Sequence, residues 1–363
     1  MPAPRVVIDA SNLHVGGGVQ VATAFFGDLL GHATRGDLLH RYPWLSTARL
    51  VASREILDNL SALISASELE VVTSPNRAPA RVGSSDVTFS VFGPRFSRPR
   101  TRKHIMGFAD VTLIYPWPPQ LPRRSVKQRI REPLAWGSFR KADHLVVETE
   151  AVKERLASRG IQTSRVSVVP NTCHSVFRAV PPGPRHPLGN EVTLLYVSRA
   201  YPHKNHDFLG EVLERLHTRH AMRAKVLVTL TPEEFNSRTT KFHRYALNLG
   251  PQTVSQLPAL YASVDAAIFP SLLECFSATP LEAMATGTPL LASDHDFNRT
   301  VCGEAATYFD SQNPEVAAWQ IREALDESKT LMQRAVRGLE QMTSWPDSLT
   351  RTTAYLSLIE KAL

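Results

Sequence analysis

The chain has 363 residues, 43% of them hydrophobic, with 41 Lys and Arg against 34 Asp and Glu for a net charge of +7; that is too long for one ordinary core and suits two Rossmann-sized domains. No apolar run reaches the roughly 18 residues of a spanning helix, and the opening Met1-Pro-Ala-Pro-Arg5-Val-Val-Ile-Asp9 lacks the basic start, long apolar stretch and cleavage site of a signal peptide, so a cytoplasmic chain is expected. Cys173, Cys275 and Cys302 form no Cys-x-x-Cys pair, which argues against a disulfide framework or a zinc site and leaves reduced thiols as the default.

In chain order, Arg5 to Asp9 reads as a first strand, Ser11 to Gly18 as a glycine-rich loop and Val19 to Ala33 as an apolar-rich helix, the opening of a doubly wound fold. Strands are predicted at Arg49 to Ser53, Leu69 to Thr73, Asp86 to Phe92, His104 to Phe108, His144 to Glu148 and Val166 to Pro170. Several are separated by amphipathic stretches of helix length, an alternation that means a parallel sheet. The prolines and glycines of Val180 to Gly189 stop any regular element, so the interdomain linker is placed there. A second series follows at Val192 to Val197, Lys225 to Leu230, Ala266 to Pro270 and Pro289 to Ser293, and the tail from Trp345 to Leu363 is helical in pattern.

The most informative stretch is Ser271-Leu-Leu-Glu274-Cys-Phe-Ser-Ala-Thr-Pro280-Leu-Glu282-Ala-Met-Ala-Thr-Gly287-Thr-Pro289. It places Glu274 at the carboxyl end of a strand and Glu282 in the first turns of the next helix. Ligands of open α/β sheets bind outside the carboxyl ends of the strands, and a helix N-terminus offers amide donors to phosphate. Two carboxylates beside such an end repel a diphosphate, so they make sense as acceptors for the hydroxyls of a sugar and a ribose. An isolated Glu-x7-Glu is weak, since two solvated helix-face glutamates repeat that spacing by chance.

With its flanks, Pro280-Leu-Glu-Ala-Met-Ala, Gly287-Thr-Pro and Val301-Cys-Gly-Glu-Ala-Ala-Thr-Tyr-Phe-Asp310, the stretch resembles the retaining GT-B glycosyltransferases of family four. The resemblance implies two Rossmann-like doubly wound domains facing across a cleft. One spans 1–180 and has the C-terminal helix 345–363 packed back on it; the other, residues 190–344, takes the nucleotide-sugar donor. Val197-Ser-Arg199-Ala-Tyr-Pro-His-Lys204 matches the family's Arg-x4-Lys spacing. Two fixed cations stabilise charge growing on a departing diphosphate without a metal; the same residues also suit a solvated basic turn. The implied roles are Arg199 and Lys204 on the diphosphate, Glu274 on donor-sugar hydroxyls and Glu282 on the ribose. The amides of Phe276, Ser277 and Ala278 are expected near sugar or phosphate. Gly16-Gly17-Gly18 is neither a dinucleotide fingerprint nor a phosphate loop; locally it suits a tight βα turn, while the resemblance implies that Gly17 and Gly18, with Asn12 and Gln20 behind them, face the ligand.

Two departures from the family pattern stand out. Ala109 falls where family members often carry a histidine, leaving Phe108, Asp110 or a backbone carbonyl for that place, and His104 lies too far back to replace it. Cys275 and Ser277 stand where glycines are commoner and narrow the donor pocket. Phe92-Gly-Pro94, Gly107-Phe-Ala109 and Leu113-Ile-Tyr-Pro116 look like a subset of bacterial surface-polysaccharide transferases. Asp294-His295-Asp296 spells Asp-x-Asp, a metal chelate in another transferase fold, but reads here as a helix cap, so no metal and no cofactor beyond the donor substrate is expected.

From Arg95 to Lys141 twelve Lys or Arg face Asp110 and Glu132, a net +10, so the rest of the chain sums to −3. With Ile130, Leu134, Trp136 and Phe139 among them, these charges suit an interfacial helix on anionic lipid. A solvated surface is the plain alternative. Nucleic acid is disfavoured because no binding motif accompanies the charge. The expected function is transfer of a sugar to a glycan acceptor, lipid-linked, by a peripheral protein at the inner face of the plasma membrane. A nucleotide-sugar epimerase on the same fold and a catalytically silent, membrane-associated scaffold are the rivals.

Overall fold

A computed structural model of the chain describes residues 4–60, 70–71, 84–96, 99–179 and 191–363. The linker expected at Val180 to Gly189, parts of the predicted strand Leu69 to Thr73, and Arg98 of the basic segment lie outside these residues. Met1–Pro116, Arg124–Asn171 and Pro346–Leu363 cluster as one unit; Trp117–Arg123 and Thr172–Trp345 form the other.

In the first unit β1 (Val6–Ala10), Val-Val-Ile-Asp-Ala, is buried along its whole length, as a strand covered by helices on both faces must be. It pairs in parallel with β2 (Arg49–Ala52) and β4 (Ser85–Ser90). With β3 (Glu70–Val71), β5 (Thr101–Gly107), β6 (His144–Val147) and β7 (Val166–Val168), the sheet runs β3-β2-β1-β4-β5-β6-β7. The order reverses between β1 and β4, the kind of switch point at whose strand ends open α/β sheets bind ligands.

The first helix spans Gly17–Leu30, two residues earlier at its start than the pattern suggested and short of the predicted end at Ala33. Gly31 takes extended backbone and donates its amide to Gly27, which ends the helix; a second helix, His32–Arg41, follows. The C-terminal helix Ser348–Ala362 docks on this unit, its Tyr355 ring 5.2 Å from Phe25 and 5.1 Å from Phe89. Leu356 and Ile359 are fully buried in the same core. Gly107 ends β5 against the Val91 carbonyl, so close that an added Cβ would lie 1.9 Å from that oxygen.

The second unit repeats the logic with β8 (Val192–Tyr196), β9 (Ala224–Val228), β10 (Ala246–Asn248), β11 (Ala266–Phe269), β12 (Leu290–Ser293) and β13 (Ala306–Phe309) in the order β10-β9-β8-β11-β12-β13, all parallel. Here the order reverses between β8 and β11. β10 and β13 were not legible as strands: each is a short edge strand, and β10 stays partly exposed, so neither carries an apolar run. The helix Ala278–Ala285 is closed by Gly287 at φ 63°, a left-handed position that glycine adopts without penalty.

Candidate active site

The loops leaving β8 and β11 carry Arg199, Lys204 and Glu274, so the second unit's switch point gathers the two cations and the first carboxylate of the sequence reading. Lys204 sits in the 3-10 turn Pro202–Lys204, pinned where Tyr196 donates its hydroxyl to the Lys204 carbonyl at 2.9 Å and Leu272 donates its amide to His203 at 2.8 Å. Asn205, left-handed at φ 60°, donates its side-chain amide to the carbonyls of Pro270 and Ser311 at 3.3 and 2.9 Å, tying the turn to β11's exit.

Lys204 Nζ lies 2.5 Å from Glu274 Oε1, and Ser271 donates its hydroxyl to the same oxygen at 2.8 Å. Both side chains are largely enclosed, 13% and 9% exposed, so the pair is weakly screened. His203 Nε2 stands 4.0 Å from Glu274 Oε1, and its ring stacks on Tyr201. Burial, opposed by Glu274 and aided by Lys204, lowers the His203 pKa, so the ring is neutral near pH 7. The turn therefore presents one enclosed ammonium rather than a cluster of cations.

Arg199 is placed differently. Its side chain is 60% exposed and its Nε donates to Glu234 Oε1 at 2.8 Å. Among the described residues, the terminal guanidinium nitrogens of Arg199 have no protein partner.

Glu274 and Glu282 divide as the strand-loop-helix reading requires, Glu274 in the loop after β11 and Glu282 in the helix Ala278–Ala285. Tyr261, fully buried on the preceding helix Leu257–Ala262, donates its hydroxyl to Glu282 Oε2 at 2.9 Å. Burial raises the Glu282 carboxyl to about 7, opposed by the Tyr261 bond and by the Lys204 charge. Phe276, Ser277 and Ala278 lie partly exposed at the helix start, and among the described residues no protein acceptor takes their amides. Those amides are the donors an oxygen-rich ligand needs. Cys275 is buried, so its side chain occupies core and does not line the loop's exposed side.

At the first unit's switch point, Asp9 at the end of β1 accepts the Ser11 amide and hydroxyl at 3.0 and 2.7 Å and pairs with buried Arg95. Asn12 donates to the Phe92 carbonyl at 2.9 Å, and His14 Nδ1 lies 2.9 Å from Glu55. These bonds hold the loop that presents Gly17 and Gly18, which belong to the helix's first turn rather than to the loop proper. Gly17 faces open space and Gln20 is exposed. Phe108 is fully buried, and Asp110 is held by Arg131 at 3.0 Å. His104 is a core residue, its Nε2 2.9 Å from Ser90 Oγ.

The Asp294-His295-Asp296 turn does precede a helix, Asp296–Cys302, but neither aspartate caps it. His295 holds the cap position without a side-chain cap bond, and Asp294 accepts from Arg299 Nε at 2.5 Å and Nη2 at 2.8 Å. Asp296 stands in the helix's first turn.

On the helix Val126–Lys141 the apolar residues split by phase. Ala135 and Phe139 face inward, the Phe139 ring 4.6 Å from Phe108, while Val126, Ile130 and Leu134 follow one turn apart on the other side and are 61–72% exposed. Trp136 lies under the Arg159 guanidinium at 4.5 Å. Phe139 and Trp136 therefore do not belong to the exposed apolar set expected from sequence, because two helix faces had been read as one.

Sequence reasoning missed Glu234, Tyr261 and Ser271. Thr231-x-x-Glu234 is legible as a capping box, yet its reach to Arg199, 35 residues away, is not. Nothing in the sequence marks Tyr261.

Against known proteins, residues 184–338 match the family model described as Glycosyl transferases group 1. The O-antigen chain mannosyltransferase RfbU of Salmonella typhimurium is 25% identical over 232 residues, 61% of this chain and 56% of the relative. A D-inositol 3-phosphate glycosyltransferase of Gordonia bronchialis is 32% identical over 174 residues, 42% of this chain and 38% of the relative. The chain thus spans about half the length, or less, of the curated relatives it matches. Among solved structures, Anabaena HepE in complex with UDP-glucose is similar at a TM-score of 0.70, with 12% identity and 99% of each chain covered. A glycosyltransferase from Rickettsia africae gives 0.67 and 13%, covering 100% and 99%. At such identity the likeness is one of fold, and the fold is GT-B.

Proposed function

We propose that the chain is a glycosyltransferase that moves a hexose-type sugar from a nucleoside diphosphate to a lipid-linked glycan acceptor during bacterial surface-polysaccharide assembly, with retention. The observation that carries this is the Lys204–Glu274 pair, with Arg199 on the same loop as Lys204, at the β8/β11 switch point, the place where an open α/β sheet binds its ligand. The group 1 domain match, the O-antigen mannosyltransferase relative and the UDP-glucose complex of a protein with this fold support the choice of donor and pathway type.

In this reading Lys204 and the free edge of Arg199 neutralise charge on the leaving diphosphate. Glu274 accepts from donor-sugar hydroxyls with the oxygen that Lys204 and Ser271 leave open, and Glu282 accepts from the ribose. The amides of Phe276 to Ala278 add donors at the helix end. The departing β-phosphate takes the acceptor's proton, so no protein base is required.

The same reading puts the protein at the inner face of the membrane. Among the described residues no helix is long and apolar enough to cross a bilayer. The exposed Val126, Ile130 and Leu134, with Lys127, Arg129 and Arg131 between them, suit shallow insertion beside anionic headgroups.

The deciding experiment is a thermal-shift panel of UDP-, GDP- and dTDP-sugars, followed by assay of nucleotide release, because a ligand bound only by the folded state raises the melting temperature. One nucleotide should stabilise the protein and be released from its sugar. No stabilisation and no release across the panel would remove the transferase reading and favour a silent scaffold.

A further inference from the structure

Glu234 is an acidic side chain set against a cation assigned to an anionic ligand, an arrangement that weakens binding unless it does something else. Its two oxygens are divided. Oε2 accepts the Thr231 amide at 3.1 Å as half of the capping box of the helix Pro232–Asn236. Oε1 accepts Arg199 Nε at 2.8 Å and the Ala200 amide at 3.2 Å. The side chain is 18% exposed, whereas that of Arg199 is 60% exposed. One carboxylate thereby fastens the loop after β8 to the segment after β9, at both the backbone and the guanidinium of that loop.

The geometry of the guanidinium gives this contact its consequence. A carboxylate that met both Nη atoms, or Nε together with Nη, would use the fork through which arginine recognises phosphate. Glu234 meets Nε alone, so the Nη1/Nη2 edge stays open while the plane and direction of the group are held. A long side chain that must be ordered on binding loses rotamer entropy; one already held does not.

We propose that Glu234 is a positioning residue for diphosphate recognition: it anchors Arg199 through Nε and presents the Nη edge to the phosphates of the donor. The inference rests on the reading of Arg199 as a diphosphate ligand. Burial alone would raise the Glu234 carboxyl; the Thr231 amide, the Arg199 guanidinium and the Ala200 amide outweigh it and hold the group ionised at neutral pH.

The test is a mutant cycle read by affinity for whichever of UDP, GDP and dTDP stabilises the parent most. A lost hydrogen bond to a charged group corresponds to a change on the order of tenfold, and Glu234→Ala should weaken the diphosphate by about that factor. Arg199→Ala should weaken it at least as much, and the double variant no further than Arg199→Ala alone, since the carboxylate acts through the arginine. Thr231→Ala breaks the same capping box without touching Arg199, so it should lower the melting temperature and leave diphosphate affinity in place.

If Glu234 were only an acidic neighbour, Glu234→Ala would tighten binding by removing repulsion; that result overturns the inference. So does a loss in Thr231→Ala equal to that in Glu234→Ala, or a further loss in the double variant. If Arg199→Ala changes nothing, or no diphosphate binds the parent, the reading of Arg199 falls and takes this inference with it. A normal Glu234→Ala beside a defective Arg199→Ala removes Glu234 alone.

Discussion

The Lys204 ammonium and the Glu274 carboxylate are 2.5 Å apart, and each is the other's principal partner in a largely enclosed setting. On the proposed function, the cation assigned to the diphosphate and the carboxylate assigned to the sugar hydroxyls thus hold each other in place. The pair orders both side chains and leaves neither charge buried alone.

Lys204→Ala should therefore have two effects. Turnover should fall by roughly 10² to 10³, the usual cost of deleting one charge-stabilising donor. Stability should fall by about 1–3 kcal/mol, because Glu274 keeps Ser271 but loses its counter-charge. Urea unfolding of Lys204→Ala and of Lys204→Ala/Glu274→Gln separates these, since the second variant should regain much of the stability and none of the activity. Near-parental turnover in Lys204→Ala would take Lys204 out of the reaction.

Glu282 supplies a pH dependence. Its folded pKa of about 7 lies above the ordinary carboxylate value of 4.5, so between these limits the folded state binds the proton more tightly than the unfolded. Stability contributed by the protonated carboxyl is present below pH 4.5 and is lost as pH rises through 7, by up to about 3 kcal/mol. Glu282→Gln should lack that slope. Diphosphate affinity should move the opposite way in the parent, strengthening from pH 6 to 8 as the carboxylate forms and accepts from the ribose. A pH-independent affinity that matches the Gln variant would separate Glu282 from the nucleotide.

Tyr355→Ala tests the docking of the C-terminal helix. Its ring is fully enclosed by Phe25 and Phe89, and removal of a buried aromatic typically costs 3–5 kcal/mol, so the urea midpoint should drop accordingly. A change below about 1 kcal/mol would mean that the core tolerates the loss of the helix's anchor.

Transfer should survive EDTA, since the proposed function assigns two cations and a helix start to the leaving group and Asp294 is paired with Arg299. Abolition by the chelator, with recovery on adding manganese or magnesium, would reinstate a metal in the mechanism.

Membrane docking is tested by vesicle sedimentation. Binding should need anionic lipid and weaken with salt, because attraction between exposed charges fades over a Debye length of roughly 10 Å at 0.1 M. Ile130→Asp/Leu134→Asp and the charge reversal Arg123→Glu/Lys127→Glu/Arg129→Glu should each abolish it and leave diphosphate affinity intact. Arg124 is left in place because it bridges to Glu132 at 2.8 Å. A parent that ignores anionic vesicles would make this face an ordinary solvated surface.

The sequence alone determined the alternation of strands and helices, the switch from one doubly wound unit to a second, and the places of Arg199, Lys204, Glu274 and Glu282 after their strands and on the following helix. Each rests on local information: hydrophobic runs whose length and flanks mark buried strands, and residues at fixed offsets from a strand's end. The tertiary structure decided what those residues touch. Glu234 reaches Arg199 across 35 residues because β9 lies beside β8, and Tyr261 meets Glu282 because one helix packs on the next. It also divided the apolar residues of Val126–Lys141 between core and solvent, which composition could not do, since a helix has two faces and only its docking chooses between them. Strand order, side-chain pairing and helix phase are long-range outcomes of packing, and no stretch of sequence carries them by itself.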